Sequence, residues 1–209
     1  MRTMFLWISL VFMLASCASS YKPLDPQNFS YDRSFVRDSV VFSYRYHIQG
    51  AVRNTRYEKR ELKYGMKAVA LKIENLSSKP VVLSENNLDV MINDQVKPLL
   101  SPSDYAKEVK QRVGIHLLHA LWGPWAISWQ EDANGETDVD FIYIPVGAIV
   151  GIANAGTAAK ANKNNLANLE NFSVQNHFVR SGGTLYGIII IPTVSDESLT
   201  FRIRDETEK

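Results

Sequence analysis

The sequence predicts a mainly β protein: an antiparallel sandwich of about seven short strands, interrupted by an apolar helical hairpin. Three observations lead there. Apolar and polar residues alternate cleanly in short stretches between Val40 and Ile92, and again between Thr184 and Ile203. Turn-forming residues such as Asn75 to Pro80, Asn93-Asp94 and Ser181 to Gly183 punctuate those stretches. From residue 101 to residue 180 the pattern changes to two long apolar segments around an acidic link.

In chain order, Met1 to Cys17 reads MRTMFLWISLVFMLASC. Arg2 precedes an apolar run from Met4 to Leu14 broken only by Ser9, and the small residues Ala15 and Ser16 follow. That charged, apolar, small order is the order of a secretory signal. Its eleven-residue run is too short for a bilayer core of about 30 Å, which takes about 20 helical residues. The segment is therefore one to be removed rather than a permanent span.

Leu14-Ala15-Ser16-Cys17 resembles the lipobox of bacterial lipoproteins. In that family the chain is cut before the cysteine, whose sulfur receives a diacylglycerol and whose new amino group is acylated. The resemblance implies that residues 1–16 are a signal peptide, that Cys17 is the lipid-attachment residue, and that the membrane is a partner through this N-terminal lipid. Ala18 stands where an aspartate would imply retention at the inner membrane, so the resemblance favours the outer membrane. Cys17 is the only cysteine, so no internal disulfide competes for it. The alternative is an ordinary secretory signal cut at a nearby small residue, which leaves a spare thiol. An acyl chain contributes about 0.8 kcal/mol per buried CH₂, and two or more chains hold firmly.

Removing residues 1–16, whose single charge is Arg2, leaves 22 basic and 22 acidic residues. A balanced charge argues against a nucleic-acid partner, for which a strongly basic surface is expected. Residues 18–38, rich in Ser, Pro, Gln and Asn, read as a tether after the anchor, so that 17–38 form a lipidated N-terminus. Residues 39–100 form the first part of the sandwich. Val40, Phe42, Tyr44, Tyr46 and Ile48 fall on one face of a strand, with Val41, Ser43, Arg45 and His47 on the other. The charged stretch from Ala51 to Gly65 reads as a solvated hairpin or a grip on anionic headgroups. Lys67 to Glu74, Val81 to Leu83 and Leu88 to Ile92 continue the strand pattern. The run VALKIENLSSKPVVLSENNLDVMI resembles the strand-turn-strand core of immunoglobulin-like domains of bacterial envelope proteins.

Residues 101–180 form the predicted insertion. Ser101 caps a helix through Tyr105 to Arg112. Val113 to Trp129 and Phe141 to Ala159, seventeen and nineteen residues long, contain no Asp, Glu, Lys or Arg and flank the acidic link Glu131 to Asp140. Gly147, Gly151, Ala155 and Ala159 recur every fourth residue and form a helix-contact surface that lets another backbone approach closely. Such a hairpin could cross a bilayer, lie at its interface, or pack against the sandwich or a protein partner, including another copy. Lys107, Lys110, Arg112, Lys160 and Lys163 lie at its two ends, on the side of the exported domain, the reverse of the positive-inside arrangement. Residues 181–209 supply the C-terminal strands.

His116 and His119, spaced i and i+3, could bind a metal, but the third and fourth ligands a zinc site needs are missing. No G-x-G-x-x-G, P-loop, H-E-x-x-H or G-x-S-x-G is present, so nothing points to a catalytic residue, a metal or a cofactor. The expected function is a non-enzymatic, membrane-anchored interaction or structural module. An oligomeric, channel-like assembly through the 113–159 hairpin and a lipid or small-ligand carrier are the alternatives.

Overall fold

The computed structural model describes residues 18–84, 87–118, 125–133, 136–144 and 146–204. The chain forms two compact units, residues 1–20 with 111–161 and residues 21–110 with 162–209. Among the described residues the fold is mostly antiparallel sheet with a few helices.

The second unit holds a four-stranded sheet built from β1 (Arg33–Arg37), β2 (Val40–Arg45), β3 (Lys67–Asn75) and β10 (Thr184–Ile191), in the order β1-β2-β3-β10. Every neighbouring pair is antiparallel, with Phe42 opposite Ile73 and Ile189 opposite Val69. A second sheet joins β11 (Leu199–Ile203), β5 (Leu88–Ile92) and β6 (Gln95–Lys97), and β4 (Val81–Leu83) pairs with β9 (His177–Val179). One hydrophobic cluster takes Phe42, Tyr44, Leu71 and Ile73 from the first sheet, Val90 and Phe201 from the second, and Leu83 and Val179 from the short pair. Phe42 and Phe201 stack with ring centroids 4.7 Å apart. The period-two face read from the sequence is the buried one over Val40, Phe42 and Tyr44, which face this cluster while Val41, Ser43 and Arg45 are half-buried, but the strand ends at Arg45, short of the Ile48 expected, and Ile48 lies in a helix.

Strand β3 is buried on both faces from Lys67 to Leu71. Ala68 and Ala70, opposite to the cluster side, are fully buried, and α1 (Ile48–Ala51) and α2 (Thr55–Tyr64) pack on this strand. Small side chains there let helices approach the sheet closely. A third helix, α3 (Pro102–Val109), packs on α2, and its Ser101 hydroxyl accepts the Asp104 N–H at 3.1 Å, the cap expected from the sequence.

Two glycines sit where a side chain would be strained or crowded. Gly65 has φ +67° and closes α2, and Met66 N–H donates to the Glu61 carbonyl. At Gly187 a Cβ would lie 2.4 Å from Val174 Cγ1 and 2.9 Å from the Phe172 carbonyl oxygen. That bare backbone is what allows residues 172–174 to lie against β10, where Ile188 N–H donates to Phe172 O at 2.6 Å.

The structure corrects three readings. The 51–65 stretch is not a hairpin: Thr55–Tyr64 is helix, with Tyr57 and Glu61 buried at i and i+4. Arg33–Arg37, inside the stretch read as tether, is a strand paired with β2. The predicted helical hairpin of residues 113–159 is not found among the described residues. In its place the first unit has a short helix α4 (Val113–Leu117), an antiparallel β-hairpin of β7 (Trp125–Ala133) and β8 (Glu136–Ile144), and one long helix α5 (Val146–Asn171), of which 146–161 belong to this unit. The acidic link is therefore the far end of a hairpin in which Trp129 pairs with Asp140 and Ala133 with Glu136. In the sequence Asn134-Gly135 lies between the two strands, a dipeptide that favours tight hairpin turns.

Candidate binding pocket and anchor region

The anchor region starts from the first described residues. Ala18 N–H donates to Asn154 Oδ1 at 3.3 Å. The Ser19 amide is held on both sides by Gln111, whose Oε1 accepts Ser19 N–H at 3.2 Å and whose Nε2 donates to Ser19 O at 2.8 Å. In the second unit Tyr21, Leu24 and Pro26 are buried. Asn168 of α5 clamps this stretch, its Oδ1 accepting from Tyr21 OH at 2.6 Å and from Leu24 N–H at 2.8 Å, and its Nδ2 donating to Leu24 O at 3.1 Å. Asn54 does the same for Lys22, accepting its N–H at 2.9 Å and donating to its carbonyl at 2.8 Å. Much of the polar composition that reads as a flexible tether is thus backbone held by amide side chains.

The predicted site residues fall out as follows. Cys17 and His119 lie outside the described residues. Gly147, Gly151 and Ala155 are buried on α5, whereas Ala159 is exposed and Ala158 is buried instead. A fixed step of four residues advances 40° beyond a full turn each time, so a stripe on one face must return by a step of three. The buried positions do so, running 151, 155, 158, 161, 165 and 169. The outward positions of the same helix change character along its axis, from Ile149, Ile152, Ala153 and Gly156 to Lys160, Lys163 and Asn164. Ile115, Leu117 and Leu118 of the same unit are also exposed. No helix is long and apolar enough to cross a membrane among the described residues. His116 is buried, and no group of three or more His, Cys, Asp or Glu able to hold a metal occurs among the described residues.

A buried polar layer lies beneath α2. Glu61 Oε1 accepts from Ala68 N–H at 2.8 Å and from Tyr105 OH at 2.7 Å. Gln49 Nε2 donates to Tyr105 OH at 3.1 Å and to Asn165 Oδ1 at 3.4 Å, and Asn54 Nδ2 donates to Gln49 Oε1 at 2.9 Å. Burial pushes the Glu61 carboxyl up to about 7, against the lowering effect of its two donors, and burial also raises Tyr105 well above the usual phenol range. These hydrogen bonds join α1, α2, α3 and the 162–171 part of α5.

The polar pocket is elsewhere in the second unit. A cavity of about 310 Å³ is lined by Asp32, Arg33, Arg45, Tyr46, His47 and Asp196, with Ser30 at its rim. Strands β1 and β2 deliver the two arginines, and the loop between β10 and β11 delivers Asp196. His47 sits at the turn from β2 into α1 with φ +56°, a left-handed conformation uncommon for a residue with a side chain. Both carboxylate oxygens of Asp196 are taken. Lys67 Nζ, almost fully buried, meets Oδ1 at 2.5 Å, and His47 Nε2 meets Oδ2 at 2.9 Å. Burial alone would raise the Asp196 carboxyl, but the hydrogen bonds and charges of Lys67 and His47 outweigh it and hold it below the usual range. Arg33 and Lys67 both lie over the Tyr46 ring, at 5.5 and 5.3 Å from its centroid, and Tyr46 OH donates to Glu197 O at 2.9 Å. Ser30 Oγ accepts from Arg45.

Sequence reasoning missed this pocket, because its members are scattered from residue 32 to residue 196 and match no motif. Comparison with protein families, with curated proteins and with solved structures finds no match for this chain.

Proposed function

We propose that this chain is a lipid-anchored module of the cell envelope, attached through an acylated Cys17 and working by binding rather than by catalysis. The observation that carries the reading is how near Cys17 in sequence the chain is held: Ala18 and Ser19 are hydrogen-bonded, and Tyr21 is buried. Four extended residues span at most about 14 Å. A lipid on Cys17 therefore holds the body against the membrane surface instead of at the end of a long leash. The outward positions of α5 within the first unit suit that placement, because Ile149 and Ile152 can enter the apolar boundary while Lys160 meets headgroups. The same positions also offer a surface for a protein partner or a second copy. Ala18 after the cysteine favours the outer membrane. We read the body as an immunoglobulin-like sandwich on the ground that two antiparallel sheets share one core.

Carbonate extraction of membranes carrying wild-type protein or Cys17→Ser tests the reading. Retention of the wild type with release of the variant supports a lipid anchor. Retention of both points instead to an integral assembly, and release of both contradicts membrane attachment.

A further inference from the structure

We propose that the pocket between Arg33, Arg45 and His47 binds a small oxyanion, a ligand presenting a carboxylate or a phosphate. The charge arrangement carries this. Both oxygens of Asp196 are engaged, Oδ1 by the Lys67 ammonium and Oδ2 by the His47 ring nitrogen. The two arginines have no such match: Arg33 Nη1 donates to the Asp196 backbone carbonyl, and Arg45 Nη1 donates to Ser30 O and Oγ, all neutral acceptors. Asp32 lines the same cavity, yet no ion pair joins it to either arginine among the described residues. Each guanidinium carries five N–H donors, so donors remain on both after these bonds. Planar forks of this kind match carboxylate and phosphate oxygens in pairs.

The groups are also held in place before any ligand arrives. Arg33 lies over Tyr46 and Arg45 over the Phe29 ring at 5.7 Å, so neither side chain must be ordered on binding. Tyr46 is fixed through its hydroxyl, and His47 through Asp196. A cavity of about 310 Å³ is at the lower end of the size of small-molecule sites. It accommodates a metabolite or a single headgroup rather than a chain. The site lies wholly in the second unit and does not depend on the acylation of Cys17.

Calorimetric titration of the full chain with inorganic phosphate, succinate and glycerol 3-phosphate at low ionic strength tests the proposal. Saturable binding of at least one of them is expected, weakened at least tenfold by Arg45→Gln and by Arg33→Gln, with Arg45→Lys falling between. Phosphate as the best probe points to the free ion, glycerol 3-phosphate to a lipid headgroup, and succinate to an organic acid. Both arginines are at the surface, so unchanged thermal melting of the variants separates loss of binding from loss of fold. Absence of saturable binding by all three probes, or equal binding in wild type and both glutamine variants, overturns the proposal.

Discussion

Glu61 gives the sharpest test of the buried polar layer. Its carboxyl is 3% exposed and pushed up to about 7 from an ordinary value of 4.5. The folded state thus holds a proton that the unfolded chain releases near pH 4.5. The unfolded chain binds fewer protons than the native protein between these values, so stability must fall as pH rises through that window. This contribution is fully present below about pH 4.5 and is lost by the time pH passes 7. A raised value of this size corresponds to roughly 3 kcal/mol at about 1.4 kcal/mol per unit. Other groups titrate as well, Asp196 with the opposite sign, since its lowered carboxyl stabilises the fold above pH 3.8. The difference between wild type and Glu61→Gln isolates the Glu61 part, because glutamine keeps an oxygen for Ala68 N–H and Tyr105 OH. Urea denaturation at intervals from pH 4 to pH 8 measures it. The wild type should lose stability relative to Glu61→Gln by about 3 kcal/mol over that range. A constant difference between the two proteins, or a wild type that gains on the variant as pH rises, refutes the reasoning.

Three further outcomes follow from the packing. Gly187→Ala places a methyl group against Val174 and the Phe172 carbonyl and should cost about 1–3 kcal/mol of unfolding free energy, measured by chemical denaturation. Asn168→Ala removes three hydrogen bonds to Tyr21 and Leu24 and should cost about 1–3 kcal/mol, with amide exchange accelerated from residue 21 to residue 28 and little changed in β3. Asp89→Ala should cost about 1–2 kcal/mol, because it strips a buried carboxylate from Arg202 and Arg204, half-exposed cations that water can resolvate.

Strands with alternating or densely β-branched residues were legible in the sequence, and helices and hairpins with disguised faces were not. Residues 81–83, 88–92, 184–191 and 199–203 are strands as read, because alternation or a dense β-branched run leaves no competing period. The helix at 55–64 was hidden by its inward face, which carries Glu61 beside Tyr57, so a buried carboxylate made it look like a solvated charge run. The 125–144 hairpin was hidden by aromatic and apolar strands that lack charge at one end and carry five acids towards the other. Asn134-Gly135 was the local sign that should have decided it. The docked stretch from Tyr21 to Pro26 is held by Asn54 and Asn168, partners that no local pattern links to it. The pocket was invisible for the same reason: Arg33, His47 and Asp196 meet only once β1, β2 and the β10–β11 loop are in place.

Intact mass of the natural protein extracted from membranes tests the central claim most directly, since it reports the first residue and its modification together. The account predicts a chain that starts at Cys17 and is heavier than the polypeptide by a diacylglyceryl group and an acyl chain. An unmodified mass, or a chain that starts at any other residue, contradicts it.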